Sequence, residues 1–111
     1  TELSRRHLSL SHAARLLADN PARLFRLTAG KGGLAPGRDA DITIARRETW
    51  RYDPTSSENV LTDWSPYAGR ELDWRIAGTW LRGQQVFDGQ TVLAAPGTGR
   101  FICPEHPSGL Q

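Results

Sequence analysis

Apolar residues recur with a helical spacing in the first part of the chain and alternate with polar residues further on. Leu10, Ala13, Ala14 and Leu17 are three to four residues apart, so in a helix they form one apolar stripe. Ser9 precedes the stripe, where its hydroxyl can accept a hydrogen bond from the first helical turn. This pattern predicts a helix that begins after Ser9 and buries one face.

A second short helix is predicted after Asn20. Asn20 can end the first helix and cap the next, and Pro21 suits the first helical position because its missing N–H needs no partner there. Residues 22–27 provide about two turns. The glycine-rich residues 30–33 should then stop the helix, since glycine readily adopts positive φ. Residues 1–29 form the helical region of this prediction.

The remaining residues read as short strands separated by Gly and Pro turns, a pattern typical of a small β-domain. Alternation and β-branched or aromatic residues predict strands at 41–45, 48–52, 74–81, 85–87, 91–93 and 100–102. Arg82 and Gly83 fit a hairpin turn, and both Gly37 and Gly83 are expected at turns with positive φ. We therefore expect an α+β chain with an antiparallel sheet or sandwich over residues 30–103 and a tail at 104–111.

Composition permits one domain but argues against a large independent core. The chain has 111 residues, 38% of them hydrophobic, and a mean hydropathy of −0.51. Four tryptophans and several β-branched runs argue against general disorder. The net charge is only +2 and charges of both signs are interspersed, so we expect no nucleic-acid surface. No apolar run has the length of a membrane span, and we expect no membrane partner.

Two motifs in the middle of the chain invite a functional interpretation, and each has a structural alternative that we favour. Residues 30–37 resemble a phosphate-binding loop in composition, but that loop follows a strand and opens a helix, the reverse of the order predicted here. Asp39 and Asp41 could face one side of an extended segment and bind a cation, yet no further ligand lies nearby in sequence. We expect instead that one aspartate accepts hydrogen bonds from the preceding turn and fixes the start of the strand.

Aromatic and titratable residues elsewhere also favour structural or surface roles. Trp64, Trp74, Trp80 and Tyr67 could form a stacking platform, but Trp74 and Trp80 are six residues apart and should pack on one face with Ile76 and Gly78.

His7 and His12 are five residues apart rather than the four that a metal pair on a helix prefers, and surface positions are expected for both. Cys103 is the only cysteine; it excludes an internal disulfide and fits a reducing compartment. A catalytic role with His106 is not expected.

Three stretches together resemble the C-terminal region of the cyclic amidohydrolases, the family that includes dihydroorotases, allantoinases and hydantoinases. They are residues 20–44, with their helix end, Gly-rich turn and Asp39-Ala40-Asp41, then residues 64–69, and residues 78–89. Their order and spacing carry the resemblance, which covers roughly residues 8–103.

The resemblance implies that residues 1–29 are the last helices of a missing TIM-type (β/α)8 barrel and that residues 30–103 belong to the C-terminal β-domain. In the family that sheet also takes strands from the N-terminus, so we expect an incomplete sheet with an exposed edge and some self-association of the free chain. The implied intact enzyme is a cytoplasmic homo-oligomer. The missing barrel and strands of the same protein would be the partners of this chain.

The chemistry implied by the resemblance belongs to the barrel. There, zinc, about one or two ions, would supply a hydroxide that attacks the carbonyl of a cyclic amide such as dihydroorotate, allantoin, a hydantoin or a dihydropyrimidine. The family's metal ligands have no counterparts in this sequence. We therefore expect no catalytic, cofactor-binding or metal-binding residue here, and no activity from the chain alone.

Two alternatives of other classes remain at this point. The chain can be a stand-alone, β-rich module that binds a small ligand or a protein. It can also be a non-catalytic amidohydrolase homologue that serves assembly.

Overall fold

The structure is a computed structural model that describes residues 6–27, 29–56 and 64–104. A helical segment precedes a three-stranded antiparallel sheet with the order β1-β2-β3, which confirms the predicted α+β class. The helical segment consists of α1 (Leu10–Ala14), a π-helical turn (Arg15–Asp19) and α2 (Asn20–Leu24). The strands are β1 (Ile42–Arg51), β2 (Glu71–Leu81) and β3 (Gln84–Phe87), and a 3-10 turn (Pro54–Ser56) follows β1.

Helical geometry continues from α1 into α2, so the predicted break at Asn20 is wrong. Asn20 has φ −63° and ψ −46°, and its backbone N–H donates to the carbonyl of Arg15, five residues earlier. Pro21 has no N–H, and in an ordinary α-helix its ring would clash with the carbonyl four residues before it. The wider π-helical turn relieves that conflict, and Pro21 is accommodated without a second cap.

The two ends of the helical segment differ in how far the sequence predicted them. Ser9 caps α1 as expected, because its Oγ accepts a hydrogen bond of 3.1 Å from the backbone N–H of His12. The predicted glycine stop is wrong, since α2 ends at Leu24 and the reversal occurs at Arg26, which has φ 55°. The N–H of Leu27 then closes the helix end on a carbonyl of α2.

The sheet contains fewer and longer strands than the sequence predicted. The predicted strands at 41–45 and 48–52 are one strand, β1, whose pairing with β2 shifts register between Ile44 and Ala45 and again between Arg47 and Trp50. The first shift corresponds to an extra residue in β2 and the second to an extra residue in β1. The predicted strand at 91–93 is reduced to a single bridge between Val92 and Phe87, and residues 100–102 form no strand.

The turn between β2 and β3 fits the prediction. Arg82 has φ 50° and Gly83 has φ 81°, the pair of positive values that a two-residue type I′ hairpin requires. Gly37 also has positive φ, at 85°, as expected. The carboxylate of Asp88 orders the next turn by accepting hydrogen bonds from two backbone N–H groups further along the chain.

Very little apolar surface is buried within the described ranges. Ala22, 5% exposed, is their one buried apolar side chain outside proline. The exposed large apolar residues are Leu10, Leu16, Leu17, Leu24, Phe25, Leu34, Ile44, Trp64, Tyr67, Ile76, Val92, Leu93, Phe101 and Ile102. Backbone hydrogen bonds and polar contacts therefore maintain these elements more than a packed core does.

One close contact in the sheet depends on a missing side chain. Gly78 in β2 is buried, and a Cβ atom at this position would lie 2.8 Å from the indole ring of Trp80. The two residues thus share a face, as the sequence predicted for this part of the strand. The register shift opposite Ile44 interrupts the alternation of side chains between the two faces of β2. The shared face of Gly78 and Trp80 therefore cannot be extended to Trp74 by counting residues.

Gly78→Ala should displace the Trp80 ring and lower the free energy of unfolding by about 1–3 kcal/mol. The reason is overpacking, because the added methyl would overlap the Trp80 ring. Urea unfolding followed by tryptophan fluorescence measures both the change in midpoint and the change in emission. Gly33→Ala is the matched control, since no atom lies within 4 Å of a Cβ there. Equal midpoints for the two variants would contradict the assigned contact.

Candidate functional site

The most organised polar cluster lies in the connector, defined here as residues 29–41 between the helical segment and β1. The ammonium of Lys31 forms salt bridges with Asp39, at 2.7 Å, and with Asp41. The Lys31 side chain is only 16% exposed, against 44% for Asp39 and 28% for Asp41. A partly desolvated, hydrogen-bonded ion cluster of this kind is stronger than an exposed surface pair.

Asp41 also ties the connector to the sheet. Its second carboxylate oxygen accepts a hydrogen bond of 2.7 Å from the backbone N–H of Arg82, in the turn between β2 and β3. Beside this contact, the N–H of Gly83 donates to the carbonyl of Ala40 at 3.0 Å. The Arg82 side chain extends further and donates to the carbonyl of Thr98 at 2.8 Å. Through its two carboxylate oxygens, Asp41 thus bonds both to Lys31 within the connector and to the hairpin turn.

The other end of the connector is fixed to α2. Gly32 has φ 91°, and a Cβ atom on it would lie 2.6 Å from the Cβ of Ala22, so only glycine allows this approach. The backbone N–H of Lys31 donates to the carbonyl of Leu27 at 3.0 Å. The structural role predicted for Asp39 and Asp41 agrees with these contacts, although the donors are the Lys31 ammonium and the hairpin backbone.

The cluster shifts two pKa values in opposite directions. Hydrogen bonds from Lys31 to Asp39 and then to Asp41 raise the pKa of Lys31 above 10.5. Burial tends to raise the pKa of Asp41, but the Lys31 ammonium and the Arg82 N–H outweigh it, and the pKa falls below 3.8. The stabilisation from Asp41 is therefore present above pH 3.8 and lost in acid, whereas that from Lys31 is present below pH 10.5 and lost in alkali.

The glycine-rich residues 30–37 are not arranged as a phosphate-binding loop. They follow α2 and lead into β1, which is the order predicted for a helix stop and turn. Their single lysine is engaged with two carboxylates. The loop therefore serves the connector.

Aromatic side chains and arginines form contacts near the start of β2 and the end of β1. The Arg75 guanidinium lies 5.3 Å from the ring centroid of Trp50, and Trp50 packs edge-on against Tyr52 at 5.8 Å. Trp50 also donates its indole N–H to the carbonyl of Trp74. The side-chain hydrogen bond from Arg46, with a weaker one from Arg75, lowers the pKa of Glu48 and outweighs the opposing effect of burial. These rings and charges are used within the fold rather than held open for a ligand.

The Ser65–Gly69 stretch forms a tight turn that presents an aromatic ring to solvent. Ser65 Oγ accepts from the N–H of Tyr67 at 3.2 Å, and the N–H of Gly69 donates to the carbonyl of Tyr52 at 2.8 Å. Tyr67 is 55% exposed, with the Arg70 guanidinium 5.9 Å from its ring centroid. Trp64, at 74% exposed, is also far from buried. The sequence predicted packing for these two residues, and the described residues do not cover them.

The candidate ligands named from the sequence do not converge. His12 lies in α1, His7 precedes it, Cys103 is exposed, and His106 lies outside the described residues. Within 6–27, 29–56 and 64–104, no three His, Cys, Asp or Glu side chains lie close enough together to hold a metal ion. Over the same residues, no helix has the length and apolar character that crossing a bilayer requires.

An apolar groove of about 500 Å³ lies between the β2–β3 hairpin and the segment 92–99. Leu81, Val86 and Phe87 form one side, and Val92 and Pro96 belong to the other. The groove is shallow and carries few polar groups that could orient a substrate. The sequence did not indicate it, because it depends on how residues 92–99 fold back.

A model of the amidohydrolase family matches residues 3–87, and the chain therefore belongs to that family. An allantoinase from Rubrobacter xylanophilus is 39% identical over 112 aligned positions, which cover 94% of this chain and 22% of that protein. A dihydroorotase from Sulfolobus acidocaldarius is 32% identical and is matched over 23% of its length. The solved L-hydantoinase (dihydropyrimidinase) from Arthrobacter aurescens superposes with a TM-score of 0.84 at 28% identity, covering 91% of this chain and 22% of that chain.

These relatives confirm the family resemblance and the fold predicted from the sequence. The chain spans about a fifth of the length of the relatives it matches. The Lys31 cluster is the feature that sequence reasoning missed. Its signal was a sole lysine eight and ten residues before two aspartates, across a turn that brings them together.

Asp41→Ala should destabilise the chain more than Asp39→Ala, because Asp41 also receives the Arg82 N–H. We expect losses of about 1–3 kcal/mol for Asp41 and of about 0.5–1 kcal/mol for the more exposed Asp39. Urea unfolding at pH 7, followed by circular dichroism, gives both values.

Asp19→Ala is the control for this pair of variants. It breaks an exposed salt bridge of 2.9 Å with Arg23 and should change stability little. If the Asp39 and Asp41 variants were equally stable, the second contact of Asp41 would contribute nothing.

Proposed function

We propose that this chain is the C-terminal, structural part of a longer metal-dependent hydrolase that cleaves the C–N bond of a cyclic amide. The observation that carries the proposal is the exposure of apolar side chains within a chain whose relatives are several times longer. A helix and a sheet that leave such surfaces open normally cover them with other protein.

The helical segment supplies the largest surface of this kind. Leu10 is 66% exposed, and Leu17 and Leu24 are each 76% exposed. Residues 10–24 are too few to be stable as an isolated helix in water, so their stability has to come from packing. In the proposed enzyme, the barrel of the same polypeptide covers these leucines.

The sheet offers a second surface. In the described part of the chain, β1 has one strand neighbour, β2, and thus one open edge. An open edge is a ready site for another strand. We propose that strands from the N-terminal part of the same polypeptide join the sheet there.

The reaction belongs to the proposed barrel. Zinc, when bound there, would supply an activated water and polarise the ring carbonyl. The described residues do not fit a zinc site, so no chemical step is assigned to this chain. The substrate class is the cyclic amides acted on by allantoinases, dihydroorotases and hydantoinases. We place the intact enzyme in the cytoplasm as a homo-oligomer.

A stand-alone binding module is the second candidate, because the groove beside the β2–β3 hairpin could accept a small apolar ligand. An assembly-only homologue would keep the covered surfaces but lack zinc. Sedimentation of the isolated chain separates the first alternative from our proposal: a strict monomer favours the module, and self-association through the exposed surfaces favours our proposal.

The longest natural polypeptide that contains this sequence should bind about one or two zinc ions per subunit and hydrolyse a cyclic amide. The 111-residue chain should do neither. Metal analysis and a hydrolysis assay with allantoin, dihydroorotate, hydantoin and dihydrouracil test both proteins. Stoichiometric, tight zinc binding by the isolated chain, abolished by replacing His7 and His12, would overturn the structural role. A longer polypeptide without zinc or activity would favour the assembly homologue.

Leu17→Asp should have opposite consequences in the two proteins. In the isolated chain Leu17 is exposed, so stability should change by less than about 0.5 kcal/mol. In the longer polypeptide the aspartate would be buried against the barrel, at a cost of about 3 kcal/mol or more. Thermal unfolding of both proteins measures the difference. Ser11→Asp, on an exposed polar position of the same helical segment, is the control, and equal small effects in both contexts would exclude the proposed cover.

A further inference from the structure

The connector provides the organised contacts between the helical segment and the sheet. Among the described residues, the helices pack mainly with one another and the strands with one another. At one end of the connector, Gly32 lies against Ala22 of α2. At the other end, Ala40 and Asp41 are bonded to the hairpin turn. The contacts that hold the connector in shape therefore set the position of the helical segment relative to the sheet.

Lys31 holds the connector closed. Its backbone N–H bonds to the carbonyl of Leu27, next to the helix end, while its ammonium reaches Asp39 and Asp41 at the entry to β1. The Arg38 guanidinium in turn donates to the carbonyl of Lys31. Without the ammonium charge, the two carboxylates would face each other in a partly buried position, and their repulsion would favour an open connector.

We infer that the connector is an electrostatic latch. The Lys31 ammonium between Asp39 and Asp41 fixes the position of the helical segment relative to the sheet, and loss of that charge frees the helical segment while β1, β2 and β3 stay paired. The sheet is independent of the latch because backbone ladders and a type I′ turn hold it. This inference stands apart from the proposed function, since it concerns contacts within the chain.

Among the described residues, the neighbouring cations direct their hydrogen bonds elsewhere, although the Arg82 charge also acts on Asp41. Arg38 is directed to the Lys31 carbonyl, and Arg82 directs its guanidinium to a carbonyl of the C-terminal segment. On the adjoining helical segment, Arg23 is paired with Asp19. The latch should therefore open in acid, as Asp41 becomes protonated, and in strong alkali, as Lys31 loses its proton.

The chain contains one lysine, so a single substitution tests the latch. Lys31→Met removes the charge and keeps the length of the side chain, whereas Lys31→Arg keeps the charge. Hydrogen exchange of the full chain at pH 7 is then compared between residues 10–24 and residues 78–87. In Lys31→Met we expect exchange at least about tenfold faster in 10–24 and within about twofold of the original chain in 78–87. Lys31→Arg should resemble the original chain in both regions.

A measurement on the unaltered chain guards against a variant that simply fails to fold. All four tryptophans lie outside the helical segment, so their emission reports on the sheet and its surroundings, and circular dichroism at 222 nm reports on the helix. On acidification below about pH 4 the helical signal should fall before the tryptophan emission changes. Loss of both signals together, equal loss of protection in both regions of Lys31→Met, or no change in either region would overturn the latch.

Discussion

The scarcity of buried apolar side chains is the constraint on which the rest of this structure depends. A sheet and a helix that enclose almost nothing between them gain little from the hydrophobic effect, so directional contacts must define their geometry. The antiparallel ladders set the sheet, Asp53 and Asp88 order turns through their carboxylates, and the Lys31 cluster sets the connector. Each of these contacts fixes the position of a backbone segment without a packed apolar core beneath it. Such a scaffold is well defined locally but gains little stability from its own packing.

The same constraint explains why the family is evident while the chemistry is not. Membership in the amidohydrolase family rests on the match over residues 3–87 and on relatives named as allantoinase and dihydroorotase. The polar groups that are best organised here are occupied with each other: Lys31 with two aspartates, Arg75 with Glu48 and Trp50. A reactive site needs polar groups that are held in place yet left unsatisfied until substrate binds. The described part of this chain satisfies its polar groups internally, which suits a supporting role.

The sequence predicted those features that short-range chemistry determines. Ser9 as a cap, the positive φ of Gly37 and Gly83, and the hairpin between β2 and β3 all follow from the demands of one or two residues. The predictions that were wrong depend on interactions between more distant residues. Pro21 predicted the start of a new helix, but the π-helical turn before it accommodates the proline within one helical segment. The sequence predicted separate strands at 41–45 and 48–52, but β1 continues through Arg46 and Arg47, which both pair with β2.

The lysine cluster was out of reach for a related reason. Lys31 meets Asp39 and Asp41 only after the intervening turn has reversed, and Asp41 meets Arg82 across 41 positions of sequence. The spacing puts Lys31 eight and ten residues before the two aspartates, but it does not show that the turn brings the three side chains together. A sole lysine in a glycine-rich stretch looks like a solubilising surface charge until the fold places it between carboxylates.

The irregularity of β1 affects which partners its open edge can accept. The strand is regular from Ile42 to Arg47, because the first register shift adds a residue only to β2, and the second shift adds a residue to β1 between Arg47 and Trp50. A regular, flat strand from a stray chain would align with one stretch and fall out of phase with the next. An incoming strand must reproduce the irregular spacing to pair along the whole edge. β1 thus discriminates among partner strands by the spacing of its backbone groups. The same irregularity resists the growth of extended aggregates.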